Sequence, residues 1–181
     1  MKKLTAIIIS ALLLVSLGNT ANSASSSGGN FSATQETLSS DNKADIKSDL
    51  TDLSRLMKAH NSDVAKIKSE LSEAGKKEDA DGMIKAFDKV KFSVIELTNQ
   101  LKALTIKSQE LQDIRMDIVT SNDIGIILLD FVKKNIELNK KGQSLSESEV
   151  QQMNSLQEKS VTLMKIYGEK LSKLNKEYNI Q

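Results

Sequence analysis

Residues 46–74 read IKSDLTDLSRLMKAHNSDVAKIKSELSEA, and a seam of mainly apolar residues recurs in this stretch at alternating steps of four and three. The seam consists of Ile46, Leu50, Leu53, Met57, His60, Val64, Ile67, Leu71 and Ala74. A second seam with the same spacing consists of Met83, Phe87, Val90, Val94, Leu97, Leu101 and Leu104. This is the spacing of a helix face that packs against another helix. The sequence contains no proline, so no proline interrupts long helices. We therefore predict an all-α fold, an antiparallel bundle of three to four long helices with coiled-coil-like seams.

Local signals place the ends of the first and last predicted helices. The first helix is predicted over about residues 41–74, because the glycine and two lysines at residues 75–77 are typical of a helix stop. The last helix is predicted to begin at Ser144 or Ser146, since a glutamate three residues after each serine completes a capping box. The core stripe predicted for this helix consists of Val150, Met153, Leu156, Leu163, Met164, Tyr167, Leu171, Leu174 and Tyr178.

The break between the second and third helices has weaker signals. Thr120-Ser121-Asn122-Asp123 is a turn-like tetrad that contains several residue types favoured at a helix N-cap, and we place the break there. A break near Lys107-Ser108 would make the helices more equal in length, but no residue at that point breaks a helix. A single unbroken helix through both positions, flanked by the first and last helices, is the competing topology.

The N-terminal segment has the features of a secretory signal peptide. A basic start, Met1-Lys2-Lys3, precedes an apolar run at residues 4–17 and a stretch of small and polar residues that ends near Ala24. A membrane-spanning helix requires about 20 apolar residues, and this run is shorter. We therefore predict export, with cleavage within residues 21–25.

Composition divides the chain into three parts. We expect residues 1–24 to be the signal peptide, residues 25–40 to be a flexible Ser/Gly-rich tether, and residues 41–181 to be one helical-bundle domain. The sequence contains no cysteine, so we expect neither disulfides nor a cysteine-linked lipid anchor. Small secreted domains of eukaryotes usually depend on disulfides, and their absence favours a bacterial protein that is periplasmic or secreted.

The charge balance argues against nucleic acid as a partner. The formal net charge is +1, and removal of the segment that carries Lys2 and Lys3 changes it to −1. A nearly neutral protein has no field that would steer it to a polyanion. Charges of both signs also alternate along the first helix, which is typical of a solvated face. The charged positions are Asp45, Lys47, Asp49, Asp52 and Arg55.

The sequence contains no motif that predicts catalysis or cofactor binding. It has one histidine and no cysteine, so zinc sites and histidine-based di-iron sites lack their ligands. A nucleophile–base–acid triad would require His60, and no pattern of serine or aspartate residues points to it. We predict that the protein is not an enzyme and binds no metal or cofactor.

The most apolar part of the predicted domain is a segment interrupted only by Gly125 and Asp130. Its apolar residues are Ile124, Ile126, Ile127, Leu128, Leu129, Phe131 and Val132. At about 100° per residue they cover every side of a helix and leave no face for water. We interpret the segment as part of a central helix surrounded by the others. The alternative is a surface exposed to a protein partner or to a membrane.

His60 is the only histidine and lies on the first seam. A histidine held between helices can change charge near neutral pH, so His60 is a candidate pH-sensitive residue. The alternative is a structural role, at a helix edge or beside a carbonyl or carboxylate partner.

These features predict an exported helical-bundle protein that acts through contacts with an unidentified protein partner. Such a protein would be an adaptor, a chaperone-like binder or a virulence-associated envelope protein, and would meet its partner through a helix face. Homo-oligomerisation is left open, and membrane contact is not favoured. One rival function is a membrane-active protein, such as a toxin component, that exposes residues 124–132. Another is a carrier with a small-ligand pocket inside the bundle.

Overall fold

The structure of the protein is a computed structural model that describes residues 37–179, and this range contains four α-helices. They are α1 (Lys43–Lys76), α2 (Ala80–Ala103), α3 (Gln109–Lys140) and α4 (Glu147–Tyr178). The chain reverses direction between them in short connections at residues 77–79, 104–108 and 141–146. The predicted all-α class is confirmed. The predicted signal peptide and most of the predicted tether lie outside the described residues.

Side chains at the starts of α1 and α2 bind the first backbone N–H groups of each helix. Asn42 Oδ1 accepts a hydrogen bond from the Ala44 N–H at 3.1 Å. Asp79 Oδ1 accepts one from the Gly82 N–H at 2.9 Å. A side chain at position 82 would collide with this cap, because its Cβ would lie 2.4 Å from Asp79 Oδ2. The cap that Asp79 makes on α2 therefore requires a glycine at position 82.

The end of α1 differs from the prediction. Gly75 lies inside the helix, which continues to Lys76. The chain turns instead at Glu78, which adopts a left-handed conformation with a φ of 53°. The Asp79 N–H donates a hydrogen bond to the carbonyl of Ala74 at 2.9 Å and closes this turn.

The capping box predicted for the last helix is confirmed at Ser146. The Glu149 N–H donates to the Ser146 hydroxyl at 3.3 Å, and the Ser146 N–H donates to the Glu149 carboxylate at 2.9 Å. Lys134 on α3 forms an ion pair with the same carboxylate. The hydrogen bonds from Lys134 and Ser146 lower the pKa of Glu149 to about 2. The start of α4 is thereby attached to α3.

The predicted break at residues 120–123 is wrong, and so is the competing unbroken helix, because the chain turns at residues 104–108. Residues 120–123 lie within α3, where their side chains find partners without breaking the helix. The Thr120 hydroxyl donates to the carbonyl of Met116 at 2.9 Å. The Asn122 amide donates to the Thr98 hydroxyl of α2 at 3.2 Å.

Both predicted seams are confirmed as the core of α1 and α2. Their residues are buried, except for Met57, Ile67 and Leu104, which are half-buried. The alternation of four and three therefore correctly identified the faces that these two helices bury.

The stripe predicted for the last helix is buried or half-buried with one exception, Val150, which is 37 % exposed. The stripe also contains a buried polar residue that its apolar pattern does not include. Ser160 is buried against α3, and its hydroxyl lies 3.2 Å from that of Ser121. A buried hydroxyl requires a hydrogen-bond partner, and each serine supplies one to the other.

Each helix packs mainly on its neighbours in the chain, while α1 makes much smaller contacts with α3 and α4. At one end of the array all four helices contribute to a single apolar cluster, which includes Leu101 and Tyr167. At the other end, α1, α2 and α3 pack around Phe87, whereas α3 and α4 form a separate cluster around Leu128. The array is thus open toward this second end, with α2 and α3 in its middle. None of the helices in the described range has the length and hydropathy that a bilayer crossing requires.

Candidate functional site

A groove with a volume of about 720 Å³ lies along the contact between α1 and α2. We call it the α1–α2 groove. The residues that line it are Ala59, His60, Asp63, Ile67, Asp88, Lys89, Phe92, Ser93, Glu96, Leu97 and Gln100. It contains the candidate pH-sensitive histidine, apolar side chains from both helices and several charged groups.

The rim of the groove carries an exposed aromatic side chain. Phe92 is 65 % exposed, which makes it the most exposed of the large apolar residues in the described range. Ile95, three residues further along α2, is 37 % exposed. The seam of α2 faces the core, so Phe92 and Ile95 occupy the side of the helix that faces solvent. A single exposed apolar residue is common, but a phenylalanine beside an isoleucine and a groove forms an apolar contact surface.

His60 lies within the groove, and its side chain is buried. Its Nδ1 is 3.1 Å from the Ser93 hydroxyl of α2. Burial lowers the pKa of His60, and the nearby charge of Asp63 partly opposes that shift. The neutral form of the ring is therefore favoured at pH 7. Its predicted position on the seam is confirmed, and its pH sensitivity stays a prediction.

The structure places the Ser93 hydroxyl beside His60, a contact that no pattern of serine or aspartate residues in the sequence indicated. A serine hydroxyl beside a histidine nitrogen is one part of a nucleophile–base pair. A working pair also needs a group that orients the histidine and donors for an oxyanion. The described residues provide no hydrogen bond to His60 Nε2. Ser93 lies in the middle of α2, where backbone N–H groups are engaged within the helix.

Charged residues around the groove are mostly paired. Lys89 binds Glu70 of α1 at 2.6 Å, and Asp88 binds Lys133 of α3. In contrast, Lys85 and Glu96 are exposed on the outer side of α2, and neither forms a salt bridge with another described residue. The solvent-facing side of α2 therefore carries one positive and one negative charge that form no described salt bridge, one on each side of Phe92. Lys85 interacts electrostatically with Asp81, four residues before it.

The apolar segment at residues 124–132 lies within α3, between α2 and α4. Ile126, Leu129 and Val132 join the cluster with α1 and α2. A second set joins the cluster with α4, and it consists of Ile124, Leu128 and Phe131. The prediction that no face is left for water is wrong at Ile127, which is 44 % exposed. Ile127 is exposed because neighbouring helices cover two sides of the segment and do not surround it.

A buried polar network at the turn between α2 and α3 was missed by the sequence analysis. Asp49, predicted to lie on a solvated face, is 1 % exposed. Its Oδ2 accepts hydrogen bonds from the Lys107 N–H at 3.0 Å, the Ser108 N–H at 2.9 Å and the Ser108 hydroxyl at 2.7 Å. These N–H groups lie at the start of α3, where helical donors lack partners within the helix. Asp49 therefore caps α3 from α1.

Arg115 caps the C-terminal end of α2, as Asp49 caps the start of α3. Its guanidinium is buried and donates to the carbonyl of Leu104 at 2.5 Å and to the side chain of Gln112. Burial lowers the pKa of Arg115, and the charge of Asp49 opposes that shift. The carbonyl groups at a helix C-terminus carry partial negative charge, so a cation stabilises this end. The turn is thus fixed by one side chain from α1 and one from the second turn of α3.

Within residues 37–179 no group of three or more histidine, aspartate or glutamate side chains is arranged to hold a metal ion. The candidate site consists of the α1–α2 groove and the outer side of α2.

A family model described as uncharacterised lipoprotein PM1805 matches residues 47–179 of the chain. The match begins in the second turn of α1 and continues to the end of α4, so it includes the groove and the network around Asp49. No curated protein and no solved structure matches the chain. A bacterial lipoprotein carries its lipid on a cysteine, and the 181 residues contain none. The sequence therefore lacks the acceptor residue that the family's description implies.

Proposed function

We propose that this chain, which belongs to the uncharacterised lipoprotein PM1805 family, is an exported protein of the bacterial envelope that acts through protein–protein contact and is not an enzyme. Two independent observations support export. The first is the basic, apolar and small-residue order of residues 1–24. The second is the lipoprotein description of the family, since lipoproteins are exported to the envelope.

The observation that carries the proposal is the exposure of Phe92 at the rim of the α1–α2 groove. An exposed aromatic ring gains free energy when a partner covers it, about 25 cal/mol for each Å² of apolar surface removed from water. Aromatic residues are also enriched among the residues that dominate protein interfaces. A groove between two helices, with an apolar floor and charged rims, suits a helical partner that places its apolar side chains between them.

The Ser93–His60 contact is the feature closest to catalytic geometry, and we infer that it is structural. The hydroxyl satisfies a histidine nitrogen that the helix contact has removed from water. No described group orients the other ring nitrogen. If this inference holds, Ser93→Ala will lower the free energy of unfolding, because it leaves a buried ring nitrogen without its hydrogen-bond partner.

The membrane-active alternative requires exposure of residues 124–132. Most of that segment packs against neighbouring helices, so exposure would require α3 to separate from both α2 and α4. Liposome leakage tests this alternative, and we expect no leakage from vesicles of bacterial phospholipids at neutral pH.

The test of the proposed function is chemical crosslinking of the protein in its native envelope, with identification of the crosslinked partner. Wild-type protein is compared with Phe92→Ser and with the control Val161→Ser, which alters an exposed apolar residue of α4 that is 49 % exposed. We expect Phe92→Ser to abolish the crosslink and Val161→Ser to preserve it. Crosslinks that persist equally in both variants would refute the proposed contact surface.

A further inference from the structure

We propose that the partner at the α1–α2 groove is a second copy of this chain, docked with its α2 antiparallel to the first. This inference rests on the proposed function, because it names the partner of the same surface. The assembly would be a two-fold symmetric dimer in which each copy offers the same residues to the other.

The arrangement of charges along α2 is complementary to itself. Consider a two-fold axis that crosses α2 midway between residues 90 and 91. It places each residue of one copy level with the residue of the second copy that lies the same number of positions from the axis in the other direction. Lys85 then faces Glu96 of the second copy, and Glu96 faces Lys85 in return. These are the two exposed charges of this surface that form no salt bridge with another described residue. The dimer would therefore pair opposite charges twice, in the way that flanking charges select partners in helix pairs.

The same axis gives each exposed ring a place in the opposite groove. Phe92 of one copy faces Lys89 of the other, and Lys89 lines the α1–α2 groove. A lysine ammonium near the face of an aromatic ring is attracted to it. Ile67 of α1, one turn before the Glu70 that pairs with Lys89, supplies an apolar side chain to this part of the groove. Asp88 lies level with the uncharged Ser93 of the second copy, so no like charges meet at this level.

The sign and number of these charges favour a second copy over a strongly charged partner. The charges on the outer side of α2 that form no described salt bridge are one cation and one anion, so the surface selects neither a basic nor an acidic ligand. Contact through one face of the 24-residue α2 buries less surface than a permanent dimer does. We therefore expect a reversible dimer with a Kd on the order of micromolar.

The test is sedimentation equilibrium of the exported chain over a concentration range from about 1 to 500 μM, which brackets the expected Kd. We expect wild-type protein to pass from monomer to dimer. Lys85→Glu and Glu96→Lys should each weaken the dimer by about tenfold or more, because each creates two like-charge contacts. The double variant Lys85→Glu/Glu96→Lys should recover most of the wild-type affinity. Lys159→Glu, on the exposed side of α4, is the matched control and should have no effect.

Two results would overturn the inference. A wild-type protein that remains monomeric over the whole range would exclude the dimer, and a dimer in which the double variant is no tighter than the single variants would exclude this pairing. If the monomer still forms Phe92-dependent crosslinks to a different envelope protein, the proposed function stands and only the second copy is refuted. Loss of both the dimer and the Phe92-dependent crosslinks refutes both. Far-ultraviolet circular dichroism verifies that the variants, all at exposed positions, keep their helical content.

Discussion

Asp49 of α1 holds the residue that precedes α3, because its Oδ2 accepts one hydrogen bond from the Ser108 N–H at 2.9 Å and another from the Ser108 hydroxyl at 2.7 Å. The hydroxyl of Ser108 therefore serves this contact and makes no cap within its own helix. A carboxylate on one helix thus sets where another helix begins. The position of the turn depends on the packing of α1 against it.

The contribution of this contact can be measured with Asp49→Ala. The change leaves the N–H groups of Lys107 and Ser108 and one hydroxyl without their acceptor in a buried site, and we expect a loss of about 3–5 kcal/mol in the free energy of unfolding. Asp52→Ala, which removes an exposed surface ion pair on the same helix, should change it by less than about 1 kcal/mol. Urea denaturation measures both. Similar small losses in the two variants would mean that Asp49 does not hold the turn.

Substitution of a buried apolar residue should lower the free energy of unfolding much more than substitution of an exposed one. Leu101 is fully buried, so Leu101→Ala should lower the free energy of unfolding by about 2–5 kcal/mol through lost contacts and a residual cavity. Val150 belongs to the predicted stripe of α4 but is 37 % exposed. Val150→Ala should therefore lower it by less than about 1 kcal/mol. A loss at Val150 as large as that at Leu101 would contradict the exposure of Val150.

Neighbouring residues in the apolar segment of α3 should respond differently to the same substitution. Leu128→Asp places an unpaired charge in the buried contact between α3 and α4, so the protein should fail to fold or to accumulate. Ile127→Asp changes the exposed residue beside it and should leave a folded protein. Circular dichroism and soluble yield compare the two variants. A folded and fully helical Leu128→Asp protein would show that α4 does not cover this face of α3.

Acidic pH should destabilise the fold through His60. Its pKa in the folded protein is lowered from the ordinary value of 6.5, so as the pH falls below about 6.5 the unfolded chain takes up the proton more readily than the folded chain. Stability should therefore decline from pH 7.5 to pH 5.5, and the loss should level off below the folded-state pKa. Urea melts of wild type and His60→Gln at these two pH values test this.

The His60→Gln comparison separates the histidine from the carboxylates of Asp63, Asp88 and Glu96, which line the same groove and remain in both proteins, as does the Lys89 ammonium. We expect the difference in stability between the two pH values to be smaller in His60→Gln than in wild type. Equal differences in the two proteins would remove His60 as the cause.

The buried faces of α1 and α2 could be predicted from sequence because every residue of each seam follows one periodic rule. The turn between α2 and α3 could not, because its residues contain no local stop signal. Asp49 and Arg115 fix that turn, and each lies within a neighbouring helix rather than in the turn itself. The turn-like residues at 120–123 favoured the wrong position because Asn122 finds its partner on another helix. Local preferences and tertiary contacts disagreed at both places, and the tertiary contacts decided the structure.

At the candidate site, too, some features could be predicted from sequence and others depend on helix packing. The sequence placed His60 on a buried seam, since the seam follows from spacing alone. It gave no reason to select Phe92, because one phenylalanine outside a seam does not show whether a neighbouring helix covers it. The groove beside Phe92 depends on how α1 and α2 approach each other, which is a property of their packing. Residues 124–132 were predicted to be a core segment. Ile127 nevertheless remains exposed, because this depends on how many helices pack against the segment, which the sequence does not show.

The most direct test of the central claim, that the outer side of α2 is the contact surface, is site-specific photocrosslinking in the cells that produce the protein. A photoreactive phenylalanine analogue replaces Phe92 in one variant and Val161 of α4 in another. We expect irradiation to crosslink the variant at position 92 to a discrete protein partner, a second copy of this chain by our inference, and to leave the variant at position 161 uncrosslinked. A discrete crosslink from position 161 and none from position 92 would contradict the account.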